Sequence, residues 1–323
     1  MRPSILTRFV SIVVLAIASA CSATDNSEQV ALVQHAAEIS NLRSTDVGPF
    51  RLHARVRIFD EPPTDADYSL IWVAPERWRE EISAGGNHTI RIGGKNTVSI
   101  KDNSAQTQAI HLRLRSLDVA ALLYVKPSET LGGVKNRDQN GMRLRCLSRT
   151  AKHVAKTELC FDAATGVLVR EEFPDRTAEF SNYSDFRGKL IPRLLRTFQG
   201  KELHGEIEVQ ELTHDPNPDP VLFEIDQQYK TRPGCEYPVV PTPIKLPDPG
   251  YPEQFRTRNP QIVKLSATVN EAGGVQDIEV TRSAGALDVY AIRALEKWKF
   301  LPATCGSVAV PFQFYTDVNF KTY

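Results

Sequence analysis

Apolar and polar positions alternate along most of this chain, and glycine, proline and asparagine punctuate the alternation. Phe50, Leu52, Ala54, Val56 and Ile58 alternate with Arg51, His53, Arg55 and Arg57, a period of two that lays one face of a strand on a core. Similar stretches at 68–73, 77–83, 88–93 and 96–101 are separated by Pro75, Gly85-Gly86 and Gly93-Gly94, which predicts an antiparallel sheet of short strands. The pattern resumes at 142–148, 157–162, 167–173, 177–185, 190–198 and 204–212, with Asp162-Ala163-Ala164-Thr165-Gly166 as a hairpin turn. Helical spacing occurs at Val30, Leu32, Val33, Ala36, Ala37 and Ile39, behind Ser27 as N-cap, and again at Leu117, Ala120, Ala121 and Tyr124 within 116–125. Phe59, Trp72 and Trp78 are candidates to line a pocket, although core packing is the commoner fate of such side chains.

The last seventy or so residues carry a separate pattern. Val263, Leu265, Ala267 and Val269 alternate with Lys264, Ser266 and Thr268, and Asn270-Glu271-Ala272-Gly273-Gly274 turns the chain into a second strand at 275–282. Leu287, Ala291, Ala294, Leu295 and Trp298 fall at helical spacing. Residues 307–320 then read as one long strand, with Val308, Val310, Phe312, Phe314, Val318 and Phe320 packed on the helix at 287–297 and Gln313, Tyr315, Asp317 and Asn319 facing outward. A long strand in a small sheet leaves backbone groups unpaired at an edge, so Phe312, Gln313, Phe314, Tyr315, Asp317 and Asn319 form the candidate peptide-binding edge. The competing expectation is that the segment 235–250 covers this edge.

Ten of the 21 prolines fall between Pro216 and Pro252, a density that excludes regular helix and central strand. This divides the chain into a β-rich domain at 24–226, a proline-rich linker at 227–250 and a small α+β domain at 251–323. The fold class is α+β, with an N-terminal antiparallel half-barrel carrying helices.

Lys and Arg total 39, as do Asp and Glu, a balance that argues against a nucleic-acid partner. Residues 1–20 read as an export signal: Arg2 and Arg8 precede an apolar run from Phe9 to Ala18, too short to span a bilayer comfortably. Two cleavage readings stand. Ala18-Ser19-Ala20 suits an ordinary signal peptidase, whereas Ala18-Ser19-Ala20-Cys21 resembles a lipobox with Cys21 as the lipidated residue. Both place the chain in the periplasm, the second with a lipid anchor. Cys146, Cys160, Cys235 and Cys305 remain, an even number suited to an oxidising compartment. Cys146 and Cys160 lie in expected hairpin neighbours and should pair, which leaves Cys235 for Cys305.

The search for catalytic chemistry finds no reaction to assign. His35, His53, His88, His111, His153, His204 and His214 form no close metal-ligand pair, and GxSxG, P-loop and GxGxxG signatures are missing from the sequence. Glu80-Glu81 and Glu171-Glu172 point to opposite strand faces and read as surface acids. Arg113, Arg115, Arg143, Arg145 and Arg149 read as a solvent-facing series. The expectation is a non-enzyme without cofactor or metal.

Two families share parts of this pattern. The runs Leu-Cys-Phe-Asp-Ala-Ala-Thr-Gly-Val-Leu-Val-Arg-Glu-Glu at 159–172, Asn-Tyr-Ser-Asp-Phe-Arg at 182–187, Leu-Ile-Pro-Arg at 190–193 and Val-Leu-Phe-Glu-Ile at 221–225 resemble the LolA-like superfamily of periplasmic lipoprotein carriers and sensors. That resemblance implies a half-open barrel with an apolar concavity suited to acyl chains. Tyr-Pro at 251–252, Ala-Thr-Val-Asn-Glu-Ala-Gly-Gly-Val at 267–275, Val-Thr-Arg-Ser-Ala-Gly at 280–285, Leu-Asp at 287–288, Trp-Lys-Phe-Leu-Pro-Ala at 298–303 and Val-Asn-Phe at 318–320 resemble the C-terminal domain of the TonB family. The stretch Asn259-Pro260-Gln261 departs from it, since many members carry a glycine-containing step there. The resemblance implies an envelope-protein partner, bound by strand addition, in transport across the outer membrane. The alternative is a LolA-like carrier or sensor of lipid or lipoprotein with a TonB-like docking module. Direct energy transduction fits less well: the apolar segment is short, a folded domain stands in the spacer's place, and the linker reaches only about 70 Å even when extended at about 3.1 Å per residue.

Overall fold

The alternation at Phe50–Ile58 places this strand at the centre of the larger sheet, with every second side chain buried. In the computed structural model, which describes residues 27–59, 63–126, 129–139, 141–151, 154–236, 238–255 and 261–320, this strand joins two antiparallel meanders. Thr64–Ala74 flanks it on one side, followed by Arg77–Ala84, Asn87–Gly94 and Thr97–Lys101. Glu202–His214 flanks it on the other, leading through Leu194–Gln199, Thr177–Ser181, Leu168–Glu172 and Val154–Asp162 to Met142–Ala151. The sheet is large, antiparallel and not closed on itself. Its edges are Lys230–Pro233 on one side and, on the other, Glu129–Leu131 with Lys135–Gln139, both paired to Met142–Ala151. The stretches expected as single strands at 177–185 and 190–198 each divide, and Ser184–Phe186 with Lys189–Ile191 forms a separate hairpin.

The helix Ser27–Ile39 buries Leu32, Val33 and Ala36 but turns Val30 outward. The second helix lies earlier than its expected place. Ala105–Leu114 is capped by Ser104, whose Oγ accepts the Thr107 N–H. Few apolar residues mark this helix: Ile110 and Leu114 are deeply buried, beside the polar Thr107. The expected helix at 116–125 is instead a 3-10 turn, Arg115–Leu117, and one α-turn, Val119–Leu122, interrupted at Asp118, which caps the Ala121 N–H. Tyr124 is exposed rather than on a shared apolar face.

Trp72 and Trp78 are core residues, and Phe59 is 45% exposed, so the three do not line a pocket together. Trp72 stacks on Phe50 at 5.6 Å between ring centroids. Trp78 lies opposite Gly93 in the ladder, where a β-carbon would sit 2.1 Å from the indole nitrogen. The Gly93-Gly94 pair that reads as a break is therefore inside the strand, making room for an aromatic ring.

In the C-terminal module, Gln261–Val269 runs between Val275–Arg282 and Phe312–Phe320. The helix Asp288–Leu295 packs Ala291 and Leu295, with Leu287, on Val263, Leu265, Ala267, Val318 and Phe320. Asn270 Oδ1 accepts the N–H groups of Ala272 and Gly274. Gly273 has φ +80°, and a β-carbon there would lie 1.9 Å from the Phe300 carbonyl oxygen; no other residue satisfies both demands. The long strand expected at 307–320 is two. Val308–Val310 pairs with Ala303–Cys305, Pro311 interrupts, and Phe312–Phe320 joins the three-stranded sheet. Val308 is exposed, Val310 packs with Ala303 and Cys305 rather than on the helix, and Phe312 and Phe314 are half-buried.

The proline-rich segment is extended and bound at both ends. Lys230–Pro233 adds to Thr97–Lys101, Val239 exchanges two backbone hydrogen bonds with Thr304, and Thr242–Lys245 pairs with Lys299–Leu301. Cys235 is bonded to Cys305. Cys146 is bonded to Cys160, directly opposite in the ladder with Cα atoms 4.0 Å apart, near the close approach of a non-hydrogen-bonded pair. Among the described residues, no helix is long and apolar enough to cross a membrane. Cys21, the export segment, His153 and the Asn259-Pro260 step lie outside the described residues.

Candidate functional site: an open strand edge beside a cationic cleft

Phe312–Phe320 has one ladder partner, Gln261–Val269, in register from Phe312 opposite Val269 to Phe320 opposite Gln261. Its outer side has no strand partner among the described residues. The linker expected to cover it pairs with Lys299–Leu301 and Thr304 instead. On the helix side, Phe314 stacks on Trp298 at 6.4 Å and meets Phe300 at 5.6 Å, and the Trp298 indole donates to the Pro247 carbonyl. On the opposite face Asp317 and Asn319 are exposed, whereas Gln313 and Tyr315 are half-buried. Burial, with the Glu279 charge, pushes the Tyr315 hydroxyl above its usual range.

At the strand's beginning, Phe312 and Gln313 also line a cleft of about 70 Å³ between the large sheet, the linker and the C-terminal module. Arg91, His111, Arg115 and Arg232 contribute to its wall, and among the described residues no carboxylate does. Arg115 connects all three parts: it donates to the Pro238 carbonyl at 2.9 Å, and its guanidinium lies 5.2 Å over the Phe312 ring. Behind the wall, Glu80 is buried between Arg91, 3.4 Å away, and His111, whose Nδ1 lies 3.1 Å from Oε1. Burial works to raise the Glu80 carboxyl, yet His111 and Arg91 hold it down to about 2. Burial, reinforced by Arg91, pushes His111 below its ordinary value. Arg43 bridges Asp118 at 2.8 Å and Glu236 at 2.5 Å, tying the linker to the first domain. Burial raises the Glu236 carboxyl, against the pull of Arg43.

A small void, of about 10 Å³, lies on the apolar side of the large sheet among Leu42, Leu52, Leu70, Leu117, Ile191 and Val209. Arg43 is its one charged lining residue among those described. Cys146, Cys160 and Glu158 form a group with metal-ligand atoms, but a disulfide-bonded sulfur offers no thiolate.

The surface readings of two acids and two arginines are corrected here. Glu80 and Glu171 are buried, Glu171 paired with Arg149 at 3.0 Å, and Arg149 also donates to the Leu122 carbonyl. Arg115 forms part of the cleft rather than a solvent-facing series. Glu80 had a legible signal: it stands in phase with Trp78 and Ile82, on the buried face of its strand. Arg232 had none, because its role depends on where the linker docks.

The architecture thus defines a two-part α+β protein: a large open antiparallel sheet bearing helices, followed by a three-stranded sheet under one helix. Residues 247–322 match the family described as the Gram-negative bacterial TonB protein C-terminal. The rest of the chain is similar in fold to a LolA superfamily protein from Nitrosomonas europaea, at 12% identity and TM-score 0.42, covering 60% of this chain and 97% of that one. A DUF1329 family protein from Desulfovibrio piger gives 12%, 0.42, 60% and 96% for the same quantities. A chain of the Pseudomonas aeruginosa MucA/MucB complex gives 13%, 0.29, 76% and 82%. Likeness at this level says nothing of ligand or partner. No curated protein matches the chain.

Proposed function

We propose that this is a non-catalytic, exported protein of the Gram-negative cell envelope. Its TonB-like module captures an extended segment of an envelope protein by strand addition at Phe312–Phe320, in the service of transport across the outer membrane. The observation that carries this reading is the outer side of that strand, which has no strand partner among the described residues while the neighbouring proline-rich segment is paired elsewhere. An unpaired edge offers a row of backbone donors and acceptors, and pairing with an extended peptide satisfies them.

Proline substitution tests it. Neighbouring residues of a strand present their N–H groups to opposite sides, so one of Tyr315→Pro and Thr316→Pro strikes the inner ladder and the other the open side. A photo-crosslinker at Asp317 or Asn319 in living cells should yield a discrete protein adduct. The open-side variant should lose that adduct while melting cooperatively. An adduct that persists in both folded variants would sink strand addition.

A second reading is a carrier or sensor of lipid or lipoprotein, with the C-terminal module for docking. Its support is the apolar lining at Leu42, Leu52 and Leu70, where the present space holds about one water, so an acyl chain would require the sheet to part from the segments above it. Co-purified acyl chains in a lipid-extraction mass spectrum would support this reading, and their absence would count against it.

A further inference from the structure

Exposed apolar side chains gather on the ribbon that the proline-rich segment forms with the C-terminal module. Of the fifteen large apolar side chains exposed among the described residues, six stand there: Val239, Val240, Ile244 and Leu246 on the segment, and Leu301 and Val308 on the strands beside it. Alternation explains the arrangement. In Lys299–Leu301 the middle residue, Phe300, turns inward to Trp298 and Phe314, so Lys299 and Leu301 share the outer face. Residues directly opposite in a ladder point to the same side. Lys245, opposite Lys299, therefore joins them, and Ile244 bulges beside it, 54% exposed. The outer face thus sets two lysines against each other between exposed aliphatic side chains. A like-charged cross-strand pair is unfavourable, and neither ammonium forms an ion pair with a described residue. Asp248 and Glu296, near them along the chain, and Glu271, in the turn that bridges to Lys299, are exposed and pair with neither lysine.

We propose that this outer face docks on a lipid bilayer carrying anionic headgroups. Aliphatic side chains enter the headgroup boundary while lysines on flexible stems reach the phosphates, and the anionic surface relieves the repulsion of the pair. Other occupants fit the face less well. A second copy meeting it about a two-fold axis would set these lysines against the same lysines. Lysine is depleted from protein interfaces, whose anchors are aromatic residues and arginine, and Ile244, Lys245, Lys299 and Leu301 are neither. The proposal goes beyond strand addition and does not depend on it. The two meet at Phe300, whose ring lies 5.6 Å from that of Phe314 on the open strand. A docked ribbon would therefore hold the open strand close to the membrane, where an envelope protein presents its extended segments.

The experiment uses the chain from residue 22 onward, which carries no acyl group at Cys21, in flotation with vesicles of phosphatidylethanolamine and phosphatidylglycerol. The expected result is binding that weakens with added salt and is absent from phosphatidylcholine vesicles. Lys245→Gln and Lys299→Gln should each weaken binding about fivefold, the scale of one basic residue near an anionic surface. Ile244→Ser together with Leu301→Ser should weaken it about tenfold. All four side chains are exposed, so thermal melting should stay unchanged in these variants. Absence of binding to the anionic vesicles, equal binding to phosphatidylcholine, or binding that survives all four substitutions would overturn the proposal. None of those results touches strand addition, which the proline variants and the crosslinks at Asp317 and Asn319 test separately. An acidic protein held through Lys245 and Lys299 in place of vesicles would reassign the face to a protein partner, also against the proposal.

Discussion

The two sheets treat their edges in opposite ways. The large sheet ends in short, guarded strands: Glu129–Leu131 has three residues, Lys135–Gln139 has five, charged at Lys135, Arg137 and Asp138, and Lys230–Pro233 is exposed, charged at Lys230 and Arg232, and stopped by proline. These are ordinary defences against unwanted pairing. The C-terminal sheet has the largely exposed Val275–Arg282 at one edge and, at the other, nine residues, four of them aromatic, with no strand on the outer side among those described. One sheet is guarded against further pairing, and the other offers the edge to which strand addition is proposed. The proline-rich segment supports the same contrast, serving as a guard strand to the first sheet and leaving the open strand of the second uncovered.

The largest test of this contrast is the Cys235–Cys305 bond, which holds the segment between the sheets and closes a separation of 70 residues. Replacing both cysteines by serine should cost about 4 kcal/mol in the chain-entropy model, seen in calorimetry as earlier melting of the C-terminal module. Removing Cys146–Cys160, separated by 14 residues, should cost about 3 kcal/mol on the same argument. A loss below about 1 kcal/mol for the first pair would mean that the backbone pairs at Val239 and Thr242–Lys245 already fix the linker.

A smaller effect concerns the buried charge behind the cleft. Glu80 is held at about 2 in the folded chain, below an ordinary 4.5, so its contribution is present above about pH 4.5 and is lost as the pH falls toward 2. His111 adds in the same direction: its folded value lies below 6.5, so the unfolded chain takes up that proton first as the pH drops. Glu80→Gln should cost about 2–3 kcal/mol at pH 7 and much less at pH 3. Urea titrations at the two pH values measure this, and a pH-independent cost would assign Glu80 a packing role instead.

The smallest expected effect comes from removing the guard. Lys230→Thr with Pro233→Val makes the edge of the large sheet resemble the open one, and should introduce weak, concentration-dependent association, under about 1 kcal/mol, in sedimentation velocity. Unchanged sedimentation would show that twist or neighbouring loops protect that edge without the lysine and proline.

Much of this architecture is legible in the linear pattern. Alternation at 50–58 and 261–269 fixes which residues face each core, because a strand's period of two admits no compromise between faces. The turn at Asn270–Gly274 and the helix residues Leu287, Ala291 and Leu295 follow from equally local chemistry. The helix at Ala105–Leu114 escapes such reading because its few buried residues make a weak stripe. Gly93 reads as a break because the ring it accommodates belongs to another strand. Pro311 divides the final strand because its two halves find different partners, Ala303–Cys305 and Gln261–Val269. The site depends on the same kind of information. Glu80, Arg91, His111, Arg115 and Arg232 come from two strands, two helical segments and the linker, and only their assembly turns scattered charges into a cationic cleft. Side-chain periodicity is a property of neighbouring residues and is written in the sequence; which edges are covered, and which charges meet, is decided by distant segments docking on one another.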